Sequence, residues 1–358
     1  MAAVGRLVDA VRRVPGAAVL APMGAGAAVA AVTGGHTAIG PFTRGLSGGA
    51  VSMVALLLVC VGAQITPASL RPVASRTGVV LAGATLIPGA AALAYALTAG
   101  RSGIGGVSAL AVAAAAVSTS NALWISLARR YGAGPMDAWG GSVASVLNSA
   151  PVVPMLIVAA CAGRHLLPWR GILDALAPLA VGVLLGQLLP ACRAALAGAV
   201  PVLVAGMSFG LGTRLDLRGV GSQLPAGLAL GAAIAVVSGG LVAAGWRLVL
   251  HQPATVGWAA AACTVTAPLM PAIIAGSDPA WAPLVPAATA QVAAALVLST
   301  LAAPALTAAA HAWAAHHHPR HPAHLAARTR AKTASRATAG AGSTLPYAPV
   351  AARSGSRL

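Results

Sequence analysis

Glutamate is absent from the chain, and lysine occurs once, as Lys332. Five acids are present (Asp9, Asp137, Asp174, Asp216 and Asp278), and charged residues make up only 8% of the 358. A soluble domain carries about 25% charged residues, so a soluble globular enzyme is excluded. An intramembrane hydrolase needs paired aspartates, a Ser–His dyad or a His-Glu-x-x-His zinc site. With no glutamate and no histidine at the centre of an apolar run, none of these can be built, and no enzyme is expected. Aromatics amount to 3%, so the apolar mass is alanine, valine, leucine and glycine, residues that let helices pack closely in lipid. Cys60, Cys161, Cys192 and Cys263 are too sparse for a disulfide scaffold and read as small packing residues. The glycine pairs Gly34-Gly35, Gly48-Gly49 and Gly105-Gly106 lack the Lys-Ser/Thr of a phosphate loop, which excludes ATP-driven work by this chain alone.

What the chain has is hydrophobic residue, at 58%, and a net charge of +17. The charge does not indicate nucleic acid. Seven basic residues lie in an acid-free tail after Trp313, and the others mostly punctuate apolar segments. Ionised groups in hydrocarbon cost several kcal/mol and a crossing helix needs about 20 residues, so charges mark span ends. Uncharged runs of 18 or more cover 14–43, 45–70, 77–100, 102–128, 138–163, 175–192, 194–213, 219–246, 248–277 and 279–319. The expectation is an all-α membrane protein with ten transmembrane spans. Arginines on the side of the N-terminus outnumber those opposite by nine to six, or sixteen basic residues to six with the tail. By the positive-inside rule both termini are cytoplasmic, in the cell membrane.

Five spans precede the Arg164–Arg170 loop and five follow. The second half therefore enters from the opposite face, the plan of inverted-repeat carriers. Ala113–Ser120 resembles Ala259–Thr266 at an offset of 146, and Cys60–Ile65 resembles Gly210–Leu215 at an offset of 150. Spans four and nine are also interrupted, by Ser118-Thr119-Ser120-Asn121 and by Thr264-Val265-Thr266-Ala267-Pro268-Leu269-Met270-Pro271. Proline removes a donor and breaks the ladder. Unwound backbone at bilayer depth survives where it is buried or lines a cavity, and matched interruptions in two halves point to a midplane binding site. The alternative is that the hydroxyls bond their own helices and the prolines only kink them. The organisation expected is an amphipathic cytoplasmic lead over 1–15, one five-helix repeat over 16–163, a second over 171–313, and a disordered basic cytoplasmic tail over 314–358. His311, His316, His317, His318, His321 and His324 have no fixed spacing and no Cys or Asp partner; they read as low-complexity tail, with no metal or cofactor.

The chain resembles the 2-keto-3-deoxygluconate permease family, within the bile acid/arsenite/riboflavin transporter superfamily. The likeness runs from Val11 to Trp313. It rests on Val14-Pro15-Gly16, Cys60-Val61-Gly62-Ala63, Ser120-Asn121, Ser149-Ala150-Pro151, Phe209-Gly210-Leu211-Gly212 with Leu215-Asp216-Leu217, and Pro286-Ala287-Ala288-Thr289. The resemblance implies a proton-coupled importer of an acidic sugar derivative. It also implies two inverted five-helix repeats arranged as a panel and a core, with broken helices crossing in the core. Three departures stand out. The family's Asp-Met-Thr-Asn-Gly-Gly is here Ser118-Thr119-Ser120-Asn121-Ala122-Leu123. Its Glu-Ser-Gly-Pro is Asn148-Ser149-Ala150-Pro151, and its Asn-Leu-Asp-Pro is Gln187-Leu188-Leu189-Pro190. A proton symporter needs a titratable group in its path, and these positions are neutral. The chain then works as a uniporter, couples to another ion through backbone carbonyls, or has changed substrate.

A sugar acid needs donors and positive potential, which half-helix N-termini supply. Ser118, Ser120, Asn121, Asn148, Thr264, Thr266, Gln64 and Gln291 are the candidates for its hydroxyls, with helix–helix hydrogen bonding as the competing role of each. Arg214 is the candidate for its carboxylate, or else a loop arginine at the headgroups or bonded to Asp216. The function expected is secondary transport of a small organic anion, 2-keto-3-deoxygluconate or a related sugar acid, across the lipid bilayer, with H+ or another ion as the possible coupling partner. The rival is a non-transporting scaffold or sensor built on a degenerate carrier.

Overall fold

Alanine and leucine lose little entropy in a helix, and valine loses somewhat more. In a bilayer, moreover, a helix satisfies its own backbone. Accordingly, in a computed structural model every regular element among the described residues is helical; one isolated bridge joins Ile104 to Val107. The structure describes residues 16–34, 40, 45, 49–66, 76–131, 152–161, 169–214 and 217–317. The lead over 1–15, Asp137, the Asn148–Pro151 segment, Asp216 and the tail from 318 lie outside them. By contacts the chain divides into residues 1–311 and 312–358; the described residues of the second unit, 312–317, are helical.

The helices are α1 (Ala17–Val32), α2 (Ala50–Gly62), α3 (Arg76–Ala99), α4 (Ala109–Ala116), α5 (Asn121–Arg130) and α6 (Val152–Cys161). They continue with α7 (Trp169–Leu188), α8 (Cys192–Arg214), α9 (Leu217–Leu248), α10 (Met270–Ser277) and α11 (Val285–His317). Tighter 3₁₀ segments cover Ala254–Ala261, Ala267–Leu269 and Pro279–Leu284. Each lies mainly on one of the uncharged runs, and several reach past a bounding arginine, as α8 does at Arg193 and α9 at Arg247. α7 begins ahead of its run, at Trp169, which places Asp174 in its second turn. Among the described residues four stretches are long and apolar enough to cross a bilayer: Trp169–Leu188, Cys192–Arg214, Gly221–Leu248 and Pro279–His316. The chain is a multi-pass membrane protein, helical in its described regular elements.

Two packing groups form. In one, α8 lies against α1 and α2, and α2 lies against α7. The contacts are at glycines, because only a missing side chain lets two backbones approach this closely. A Cβ at Gly26 of α1 would collide with the carbonyl of Phe209 on α8, and one at Gly212 of α8 with the carbonyl of Met23 on α1. The α2–α7 pair repeats the arrangement: a Cβ at Gly182 would strike the carbonyl of Val59, and one at Gly62 the carbonyl of Leu179. Met23 and Gly26 correspond to Leu179 and Gly182 at an offset of 156; Val59 and Gly62 correspond to Phe209 and Gly212 at an offset of 150. The same reciprocal crossing is thus made twice, with first-half and second-half helices exchanged.

The second group contains α3, α4, α6, α9 and the 254–261 segment. α5 packs on that segment. Trp124 of α5 and Trp246 of α9, both fully buried, meet edge to face at 5.4 Å, a pair worth about 0.5–1.5 kcal/mol beyond its area. Around them lie Leu123, Leu127, Val256, Ala259–Ala262 and Ala303, a small apolar core separate from the main one.

Candidate functional site

The fourth uncharged run is two helices, not one. Ser108 caps α4 by accepting from the Ala111 amide at 3.1 Å. α4 stops at Ala116, and α5 does not begin until Asn121. In the ninth run the 3₁₀ segment ends at Ala261 and helix resumes only at Ala267. At the offset of 146 residues 117–120 correspond to 263–266, the second gap beginning one residue earlier, at Ala262. The interruptions expected from the serines, threonines and prolines are therefore present as breaks in backbone helix.

The two breaks touch. The Ser120 amide donates to the Ala262 carbonyl at 2.8 Å. Beside this bond the Cys263 amide donates to Ser299 Oγ of α11 at 3.1 Å, and the Ser299 hydroxyl donates to the Leu296 carbonyl at 3.2 Å. Ser118 Oγ donates back to the Ala115 carbonyl at 2.8 Å, and Thr266 Oγ1 to Thr264 Oγ1 at 3.3 Å. Ser118, Ser120, Thr264 and Thr266 are all buried, at 9% exposure or less.

Not every group here is satisfied. Among the described residues none accepts a hydrogen bond from the amides of Thr119, Thr264, Val265 or Thr266. Those amides precede helix starts, where the backbone dipoles leave positive potential and favour anions. The only carboxylates among the described residues, Asp174 and Asp278, lie elsewhere: Asp174 near the start of α7, exposed, and Asp278 capping the Ala280 amide ahead of α11.

The structure brings four of the nine sequence-derived site residues into one place and sets three apart. Gln64 follows the end of α2 and donates to the Arg193 carbonyl at 3.0 Å, within the first packing group. Arg214 is exposed at the end of α8, in the same group. Gln291 takes the competing role, hydrogen bonding between helices. It is fully buried, but its amide is wholly engaged: Oε1 accepts from the Ser108 amide and hydroxyl, and Nε2 donates to the Gly106 carbonyl and to Gln223 Oε1. It holds the far end of α4, about 12 Å of helix from the break at a rise of 1.5 Å per residue, and has no group left for a ligand. Of the other two, Asn121 opens α5, and Asn148 lies outside the described residues. Of the histidine cluster, His311 packs its ring on Tyr131 at 5.0 Å, and no group of three potential metal ligands occurs among the described residues. Sequence reasoning missed Ser299. Its only signal was polarity within an apolar run, which self-bonded serines share.

Residues 8–316 match the family described as 2-keto-3-deoxygluconate permease. The chain is 34% identical over 310 residues to the 2-keto-3-deoxygluconate permease of Xanthomonas axonopodis pv. citri, covering 85% of this chain and 96% of that one. It is 30% identical over 309 residues to that of Escherichia coli O9:H4, covering 83% and 92%, and 29% identical over 306 residues to that of an Enterobacter species, covering 83% and 91%. No solved structure matches. With buried helix breaks in contact and a family match over most of its length, the chain belongs to the 2-keto-3-deoxygluconate permease family.

Proposed function

We propose that the protein is a secondary transporter of 2-keto-3-deoxygluconate or a closely related sugar acid, and that the crossing of the two breaks is where it binds. The observation that carries this is the bond from the Ser120 amide to the Ala262 carbonyl, made between two helix interruptions in which the amides of Thr119, Thr264, Val265 and Thr266 have no acceptor among the described residues. An unsatisfied peptide group in hydrocarbon costs several kcal/mol. A carboxylate-bearing polyol meets that need with its anionic end and its hydroxyls, and leaves again. Ser118, Ser120, Asn121, Thr264 and Thr266 are the groups we assign to it, with Asn148 of the fifth run. The relatives named above bear the name of this substrate.

The same reading takes the ten runs as ten spans in two inverted halves, with both termini cytoplasmic. Its support is the twice-made glycine crossing at offsets of 156 and 150, together with breaks related by 146. Helices from opposite halves exchange partners in that crossing, as a two-fold axis in the membrane plane requires. Proton coupling through an intramembrane carboxylate is left out, because the positions that carry acids in the family are neutral here.

Purified protein in proteoliposomes tests the proposal. Saturable uptake of labelled 2-keto-3-deoxygluconate, impaired by Asn121→Ala, Asn148→Ala and Ser118→Ala, is the expected result. Absence of saturable uptake, or uptake indifferent to all three substitutions, contradicts it.

A further inference from the structure

The first half-helix of the broken fourth run is held at its outer end by an unusual number of anchors. The loop before it, residues 100–108, folds back on itself through left-handed glycines such as Gly103 (φ 78°) and Gly106 (φ 80°). Tyr95 of α3 braces it: the phenol oxygen accepts from the Ile104 amide at 2.8 Å and donates to the Val107 carbonyl at 2.6 Å. Arg101 lies over the ring of the fully buried Trp281, 5.2 Å from its centroid. At the centre is Gln291, 1% exposed. Its oxygen takes both the Ser108 amide, at 3.1 Å, and the Ser108 hydroxyl, at 3.2 Å. Its nitrogen gives one hydrogen to the Gly106 carbonyl and the other to Gln223 Oε1 of α9, each at 2.7 Å. An amide has two donors and two acceptor sites; all four are used.

The backbones behind this node are in contact. A Cβ at Gly227 would sit 2.7 Å from the Gln291 carbonyl, and one at Gly231 2.9 Å from Ala295 Cα. With Gln223 these glycines share one face of α9 at a spacing of four residues. α9 and α11 are therefore locked in register, and Gln291 transmits that register to the N-terminus of α4. A short, stiff helix leads from Ser108 to the break. Loss of the node lets α4 slide or rotate, and Ser118 and Ser120 move with it relative to Ala262.

We infer that Gln291 is a positioning residue: it fixes α4 against α9 and α11 so that the two breaks meet in the geometry that binds substrate. The inference rests on the transport reading for its functional consequence, but its structural half stands apart. The buried node is not itself a ligand site, since no group in Gln291 remains free.

Two readouts on the full-length protein test it. The first is amide hydrogen exchange. In Gln291→Leu, exchange over residues 107–120 should rise about tenfold or more, a shift of at least 1.4 kcal/mol in local opening, while residues 221–248 stay protected. The second is uptake in proteoliposomes, where Gln291→Leu should raise KM about tenfold at little change in maximal rate per carrier. Gln291→Glu supplies a conservative rescue. A neutral carboxyl still accepts from Ser108 and donates to Gly106, so its KM should approach the unsubstituted value at acid pH and climb as pH rises, a pH profile the unsubstituted protein lacks. If Gln291→Leu does not accumulate, Gln223→Leu removes a single bond from the node and should raise KM about threefold with a smaller exchange increase in the same segment. Unchanged exchange over 107–120 together with an unchanged KM overturns the inference. A carrier reading that fails does so differently: the unsubstituted protein shows no uptake, while the exchange response to Gln291→Leu persists.

Discussion

The Ser120 amide and the Ala262 carbonyl, 2.8 Å apart, join the interruption of one apolar run to that of another far along the chain. In a continuous helix neither group would be available. Both are freed because the fourth and the ninth runs each unwind, and their meeting fixes how the two breaks cross. The remaining amides of the breaks are then concentrated at one buried locus lined by hydroxyls, with no carboxylate among the described residues there. That locus is the one we propose for the anion.

Thr264 and Thr266 pair through their hydroxyls at 3.3 Å, and Thr266 is nearly inaccessible at 1% exposure. Valine keeps the shape of threonine and removes the hydroxyl. A neutral hydrogen bond is worth about 1 kcal/mol, so Thr264→Val and Thr266→Val should each raise the uptake KM about fivefold with normal protein levels. Initial-rate uptake across substrate concentrations measures this.

Ser299 holds the amide of Cys263 from α11. Ser299→Ala strands that donor, at a cost of about 1–3 kcal/mol, whereas Ser299→Thr keeps the oxygen. Thermal unfolding in detergent should show a clear loss for alanine and a smaller one for threonine, and uptake should follow the same order.

The reciprocal glycine crossings make a paired prediction. Inserting bulk against a backbone carbonyl costs about 1–3 kcal/mol or more. Gly212→Val and Gly62→Val should therefore destabilise the protein comparably, because they occupy equivalent positions in the two halves. Thermal stability of the two variants is the measurement; a large loss for one and none for the other removes the equivalence.

Asp174 and Asp278 both stand away from the breaks, and Ser118, Ser120, Thr264 and Thr266 at the breaks are neutral. Uptake should therefore be insensitive to an imposed pH gradient over the range in which the sugar acid stays ionised. Accumulation driven by an inward proton gradient would contradict this.

The breaks were legible in the sequence because their cause is local: clustered hydroxyls and prolines weaken a helix wherever they fall. The glycine crossing was half legible, since the offset of 150 was visible between Cys60–Ile65 and Gly210–Leu215, but the partner glycines Gly26 and Gly182 carry no mark that sets them apart from other glycines. Gln291 was legible only as a choice between two roles, ligand group or bond between helices. A buried amide in an apolar run needs partners, and the sequence shows the need without showing that Ser108, Gly106 and Gln223 meet it. Ser299 was missed because a serine bonded to its own helix looks the same whether or not it also accepts from a neighbour.

The most direct measurement is equilibrium binding of 2-keto-3-deoxygluconate to purified protein, comparing the unsubstituted chain with Ser120→Pro and Ser120→Ala. Ser120 already has φ of −75°, which proline adopts without strain, so the proline variant deletes chiefly the N–H that reaches Ala262. The account predicts measurable binding in the unsubstituted protein, a modest loss for alanine, and a loss of about tenfold or more for proline. Binding that proline leaves intact in a folded protein would show that the contact between the two breaks does not form the site.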